Sequence, residues 1–155
     1  MTKKKIKTER LEIELMPTEE LEKLLSGTLD KELVKAYSEM LTGAINEPQN
    51  AVWYLPWAMK LAENKTCIGN LGFHGPAQNG AVEIGYGIEP EFEGHGYATE
   101  AAKALVNWAF EQPGVEAVEA EAEESNAASL RIIEKLGFQP CGVGEEGPRF
   151  VKKKR

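Results

Sequence analysis

Histidine and cysteine are scarce in this chain, with two of each among 155 residues. His74, His95, Cys67 and Cys141 stand apart, without a CxxC pair, an HExxH run or any clustered Cys/His spacing. The familiar zinc and thiol-redox signatures are therefore missing; no metal site is expected, and both cysteines read as free thiols. Long apolar runs are missing too, since nothing approaches the roughly 20 residues that cross a bilayer. The lysines of "MTKKKIKTERLEIEL" lead into no apolar stretch of the kind a secretory signal carries. A cytoplasmic protein with no membrane partner is the resulting expectation. Positive charge is the third deficit: 18 Lys and Arg face 25 Asp and Glu, a net charge of −7. Nucleic acid is not an expected partner, because phosphate backbones need a basic face. The basic ends "KKKIK" and "VKKKR" read as solvated strand ends.

What remains is ordinary globular material, 42% hydrophobic and 8% aromatic, of a length that suits one domain over residues 1–155. Its periodicity divides it cleanly. "RLEIELM" alternates and predicts a first strand. "PTEELEKLLSG" predicts a helix that starts at Pro17–Thr18 and stops at Gly27, and "DKELVKAYSEML" a second helix with Leu33, Val34, Tyr37 and Met40 or Leu41 on one side. "WYLPWAMKLA" and "TCIGNLGFHG" predict strands around the turn "ENKT", and "AVEIGYGI" a further strand after the turn "HGPAQNG". The clearest helix runs from Ala98 to Gln112, where Ala98, Ala101, Ala102, Leu105 and Ala109 keep helical spacing. "VEAVEAEA" then predicts a strand. "SNAASLRIIEKLGF" predicts a helix capped by Ser125 or Asn126 and stopped at Gly137, and "CGVG" with "RFVKK" a closing hairpin. The order implies an α/β fold, a mixed sheet with helices on both faces.

Between the strand "AVEIGYGI" and the long helix lies "EFEGHGYATE", in which two glycines bracket a histidine. A helix N-terminus offers unpaired amides and partial positive charge, and glycine lets backbone approach an anion closely. The amides of Gly94, His95, Gly96, Tyr97 and Ala98 can therefore cradle a pyrophosphate. A tight strand-to-helix connection that binds nothing is equally open on the glycines alone. A Walker loop is excluded, because "GHGYAT" lacks the Gly-Lys-Ser/Thr ending. A dinucleotide fingerprint is disfavoured, because Thr99 takes the place of its third glycine.

Residues 81–138 closely resemble the GNAT superfamily of acetyl-coenzyme A-dependent N-acetyltransferases, and within it the RimJ/RimL-like branch of ribosomal-protein-alanine acetyltransferases. The resemblance rests on "EIGYGIEPEFEGHGYATEAAKAL", "NWAF" and "SNAASLRIIEKLGF". The first carries the family's phosphate turn, usually Gln/Arg-x-x-Gly-x-Gly/Ala; the last carries its Asn-x-x-Ser helix. Two positions depart from the pattern. Glu91, three residues before Gly94, stands where Gln or Arg is usual, with Glu93 a second acid directly before the glycine, and His95 stands where a basic residue is frequent. Both remove positive charge from the phosphate turn; Lys103, Arg131 and Lys135 could compensate or could be ordinary helix-surface charge. Residues 1–60 are the least diagnostic.

The resemblance implies an α/β (α+β) GNAT fold: a single, mostly antiparallel mixed sheet whose fourth and fifth strands, "AVEIGYGI" and "VEAVEAEA", splay apart. Acetyl-coenzyme A would lie in that splay as cosubstrate, its pantetheine paired with backbone near Tyr86, Gly87 and Ile88. Amides around Ile84 to Tyr86 would stabilise the oxyanion formed when an amine attacks the thioester. Ser129 is the implied proton donor to the departing thiolate, with helix capping as its other role. Asn126 would bind the cofactor or cap the helix. Glu83, beside the splay, is the candidate base, directly or through water, with a solvated surface role equally open; His74 is a weaker candidate. An α-amino group is about a tenth neutral at pH 7 and a lysine under about a thousandth, so an N-terminal acceptor would need little base. Glu119, Glu121 and Glu123 alternate on the strand bordering the splay, where they would either attract a cationic amine or face solvent. Tyr37, Trp53, Tyr54 and Trp57 lie in the half that shapes the acceptor site in this family, although most read as core. The expected partners are acetyl-coenzyme A and an amine acceptor, a protein N-terminus or a small molecule, used by a monomer or homodimer. The alternative is a non-catalytic acyl-coenzyme A-binding or sensing domain.

Overall fold

A computed structural model describes residues 4–27 and 30–154. Its strands are β1 (Lys5–Lys7), β2 (Leu11–Leu15), β3 (Trp57–Leu61), β4 (Cys67–Phe73), β5 (Ala81–Ile88), β6 (Ala117–Glu121), β7 (Gln139–Val143) and β8 (Pro148–Lys153). They form one sheet in the order β1-β2-β3-β4-β5-β6-β8-β7, antiparallel throughout except for the parallel pair β5–β6. The helices are α1 (Thr18–Leu25), α2 (Lys31–Asn46), α3 (Ala51–Tyr54), α4 (Tyr97–Phe110) and α5 (Ala127–Lys135).

The predicted fold class holds, and the main helices begin where their capping chemistry puts them. The Asp30 carboxylate accepts the Leu33 amide at 2.9 Å to open α2, and the Asn126 side chain accepts the Ser129 amide at 3.0 Å to open α5. α4 brings Ala98, Ala101, Ala102, Leu105, Val106, Trp108 and Ala109 into the main core, where Trp108 lies 5.1 Å from Trp53 and 5.0 Å from Trp57 between ring centroids.

Some boundaries differ from expectation. "KIK" forms β1, a mostly exposed edge strand in which Lys5 Nζ lies 3.3 Å from both Glu12 and Glu14, so one lysine of the basic start is paired. The strand expected to begin at Trp53 begins at Trp57 instead. Pro48 opens a 3₁₀ turn that runs into α3, and Pro56, with no amide to donate, separates α3 from β3. The strand "VEAVEAEA" ends at Glu121, which leaves Glu123 outside the regular alternation.

Candidate active site

β5 and β6 pair only through Ala81–Ala117, Val82–Val118 and Glu83–Glu119. Past Glu83, β5 runs on to Ile88 with β4 on one side alone, while β6 turns to β8. Alternation fixes what the freed edge offers. The Glu83 carbonyl accepts the His74 amide at 3.0 Å and the Glu89 amide reaches the Ile68 carbonyl at 2.8 Å, so odd-numbered residues of β5 turn their backbone polar groups toward β4. The amides and carbonyls of Ile84, Tyr86 and Ile88 therefore point into the splay, where an extended ligand can pair with them as a strand would.

This edge leads through a 3₁₀ turn at Pro90–Phe92 to the glycine turn. Gly94 and Gly96 both have φ of +81°, a left-handed backbone that glycine adopts without penalty. Alternating left-handed residues gather successive amides into a concavity for an anion. Among the described residues, the amides of Gly94, His95, Gly96, Tyr97 and Ala98 have no internal acceptor, as the start of α4 requires. The dipole of α4 adds to their pull.

A cavity of about 390 Å³ joins the two features. Of the residues singled out from sequence, Tyr86, Gly87, Ile88, Gly94, Gly96, Tyr97, Ala98, Asn126 and Ser129 line it. Ile84 does not; its side chain is buried on the core side, and only its backbone edge faces the splay. His95 does not line it either. Its carbonyl accepts Arg10 Nη1 at 2.9 Å. Arg131 and Lys135 line the cavity and bring positive charge to the turn that Glu93 and His95 leave short of it, whereas Lys103 is not part of the lining.

Arg10 was not foreseen. Its side chain donates to Glu100 at 2.7 Å and its guanidinium sits 4.4 Å from the Tyr97 ring centroid. The Arg10 amide and the Thr8 hydroxyl also reach Glu100. Burial opposes ionisation of Glu100, but these donors outweigh it and hold the carboxyl below its ordinary range. The β1–β2 turn is thereby strapped to the first turn of α4.

On the cavity wall, Ser129 Oγ lies 2.9 Å from the Tyr86 hydroxyl. Burial pushes the Tyr86 phenol above its ordinary value despite that bond, so it stays protonated at neutral pH. The cap of α5 is supplied by Asn126, so the Ser129 hydroxyl is not used for capping and pairs with Tyr86 on the cavity wall.

Across β5 lies a second cavity of about 240 Å³, between α2 and the segment Tyr54–Pro56 on one side and β4 and β5 on the other. Leu33, Tyr37, Met40, Tyr54, Leu55 and Phe73 make it largely apolar; Asn70 and His74 are its polar side chains besides the tyrosine hydroxyls. Tyr86 and Gly87 line both cavities. Trp53 and Trp57 are core residues, as their sequence context had implied.

Glu83 stands beside this second cavity with both oxygens engaged. His74 Nδ1 is 3.0 Å from Oε2, and Arg149 Nη2 is 3.1 Å from Oε1. The His74 bond lowers the Glu83 carboxyl below its usual range, against partial burial, with Arg149 assisting. The same bond raises the His74 imidazole, against burial. Arg149 also holds Glu119 at 2.6 Å and Glu121 at 2.7 Å. The two strand glutamates expected to draw in a cation already share one from β8, and Arg149 was not foreseen.

The Acetyltransferase (GNAT) domain family matches residues 7–139. The uncharacterized N-acetyltransferase YoaA of Bacillus subtilis (strain 168) is 30% identical over 89% of this chain and 84% of its own length. The uncharacterized N-acetyltransferase YjdG of the same organism is 37% identical over a shorter stretch, 53% of this chain and 49% of its own length. Among solved structures, a RimL ribosomal L7/L12 α-N-protein acetyltransferase in complex with coenzyme A superposes with a TM-score of 0.73 at 16% identity, covering 94% of this chain and 95% of that one. By sequence and by fold, the chain belongs to the GNAT family of N-acetyltransferases.

Proposed function

We infer that the protein moves an acetyl group from acetyl-coenzyme A to a primary amine by direct attack, with donor and acceptor bound together. One observation carries this reading: the unpaired edge of β5 runs straight into a doubly left-handed glycine turn at the start of α4. That is an extended polar edge followed by an anion cradle, at the spacing of one connection, and it suits a pantetheine arm ending in a pyrophosphate. The amides of Gly94 to Ala98 would hold the phosphates, with Arg131 and Lys135 supplying charge. The edge at Ile84, Tyr86 and Ile88 would pair with the arm and offer an amide to the developing oxyanion. Ser129, coupled to the protonated Tyr86, would give its proton to the departing sulfur. Asn126 would keep Ser129 in register by capping α5.

The acceptor would enter the second cavity, which meets the first at Tyr86 and Gly87. Its apolar lining favours an amine borne on an apolar or aromatic body over a polyamine. An N-terminal peptide and a small molecule both satisfy that description. The relatives' names and the ribosomal-protein acetyltransferases of the same fold favour this reading over a non-catalytic acyl-coenzyme A sensor.

The test is thiol release from acetyl-coenzyme A across a panel of N-terminal peptides and small amines that differ in the polarity of the group beside the nitrogen. Turnover with apolar-bodied amines is expected. Tight acetyl-coenzyme A binding with no thiol released by any amine would leave the sensor reading in its place.

A further inference from the structure

We propose that His74, through Nε2, takes the proton from the acceptor amine, with Glu83 and Arg149 holding the imidazole in place. The inference rests on the acetyl-transfer reading and deepens it.

His74 and Glu83 are joined twice, by the backbone bond from the His74 amide to the Glu83 carbonyl at 3.0 Å and by the side-chain contact from Nδ1 to Oε2 at 3.0 Å. The first fixes where the histidine starts, and the second fixes how its ring turns. With Nδ1 committed to a carboxylate, Nε2 is the nitrogen left for chemistry. The ring lies over β5 because residue 85 is glycine. A Cβ there would come within 3.1 Å of Nε2, tighter than most real contacts. The imidazole thus rests beside bare backbone, one step along the strand from the residues that line both cavities, and it is itself part of the acceptor cavity wall.

Glu83 cannot easily serve as the base itself. One oxygen is taken by His74 and the other by Arg149, and a carboxylate so stabilised is a weak proton acceptor. Arg149 is fixed in turn by Glu119 and Glu121, and the second oxygen of Glu121 accepts the Glu146 amide at 2.8 Å. The resulting chain runs from β8 through β5 to the imidazole. It orders a catalytic ring by a carboxylate that is itself ordered, an arrangement that acyl-transfer sites use to fix a tautomer.

The amine nitrogen forms a bond to the thioester carbonyl carbon and gives one proton to Nε2. The carbon–sulfur pair leaves with sulfur, which gains one proton from Ser129. The proton on His74 returns to the serine side through water, so amine and thioester become amide and thiol with nothing left over.

The charged groups acting on the ring are Glu83 from β5, Glu146 from the turn before β8, and Arg149 from β8. The two carboxylates outweigh the guanidinium, and the imidazole titrates above its ordinary value. The base form should therefore appear as an acid limb in kcat/KM above about pH 6.5.

The experiment measures thiol release against pH for wild type, His74→Gln and Glu83→Gln, each with two amines of different pKa; a limb that stays put between amines belongs to the enzyme. His74 is titrated in parallel by NMR through its labelled imidazole. His74→Gln should lower kcat about 100-fold or more and remove the stationary limb while acetyl-coenzyme A affinity holds. Glu83→Gln should move both the limb and the NMR titration toward lower pH. A purely structural pair would shift neither limb. Wild-type turnover and an unchanged limb in His74→Gln would overturn the assignment, as would a kinetic limb that fails to follow the NMR titration in Glu83→Gln. If the wild type releases no thiol with any amine, it is the acetyl-transfer reading that fails, and the two failures are distinct.

Discussion

Gly94→Ala separates the cradle from the mere geometry of a turn. Gly94 has φ of +81° and Gly114, at the far end of α4, has φ of +83°. A Cβ added at either meets no heavy atom within 4 Å. Alanine at both sites therefore carries the same left-handed strain, about 1–2 kcal/mol, with no clash to confuse it. Strain shared by the free and bound states cancels from the dissociation constant and appears as lost stability. For a chain of this size that is a fall in Tm of roughly 2–8 °C in both variants. Of the two, only Gly94 stands in the cavity, where under the proposed reading the added methyl would meet the phosphates and displace neighbouring amides. Loss of one charge-assisted bond there costs about 1.5–3 kcal/mol, or roughly 10- to 150-fold in affinity. Calorimetric titration with acetyl-coenzyme A should thus show Gly114→Ala binding like wild type and Gly94→Ala weakened by that factor. Equal affinities in the two variants would refute the cradle.

Other outcomes follow from the same geometry. Asn126→Ala should lower stability by about 1 kcal/mol in chemical denaturation, since the amide of Ser129 loses its cap. Ser129→Ala and Tyr86→Phe should each depress kcat more than acetyl-coenzyme A affinity, and the double variant should lose little more than the worse single; additive losses would show that the two hydroxyls act separately. Arg149→Gln should cost roughly 1–3 kcal/mol at pH 7, because three carboxylates lose a shared cation at a partly exposed site. Glu83 is held below its unfolded value, so its share of that stability is present above about pH 4.3 and is lost as pH falls through the folded value. The gap between wild type and Arg149→Gln in urea melts should narrow in acid, and a gap constant from pH 7 to pH 3 would contradict the assignment.

Local chemistry made much of this protein legible in its sequence. α4 could be read because its small apolar residues recur at helical spacing, and α5 because Asn126 precedes it and Gly137 follows. β1 was too short to show alternation, and α3 was hidden by aromatic residues that suit a strand as well as a helical turn. Arg10 and Arg149 were illegible for a different reason. Each acts on residues brought near by the order of the strands, β2 against the start of α4 and β8 against β6, which no local pattern encodes. The pairing of His74 with Glu83 was within reach. His74 lies four residues before Gln78 and Glu83 four after Asn79, so counting outward from "QN" places them opposite each other once the hairpin is accepted.

The Arg10 strap has a consequence for how the molecule moves. Arg10 and His95 are 85 positions apart in sequence, yet one hydrogen bond joins them, and the Arg10 guanidinium covers the ring of Tyr97, which lines the larger cavity. A ligand that settles the glycine turn must therefore also settle the first hairpin, and whatever frays that hairpin must weaken the ligand by the same free energy. Occupancy would be visible as slowed hydrogen exchange at Thr8 to Leu11, residues that no donor atom needs to touch.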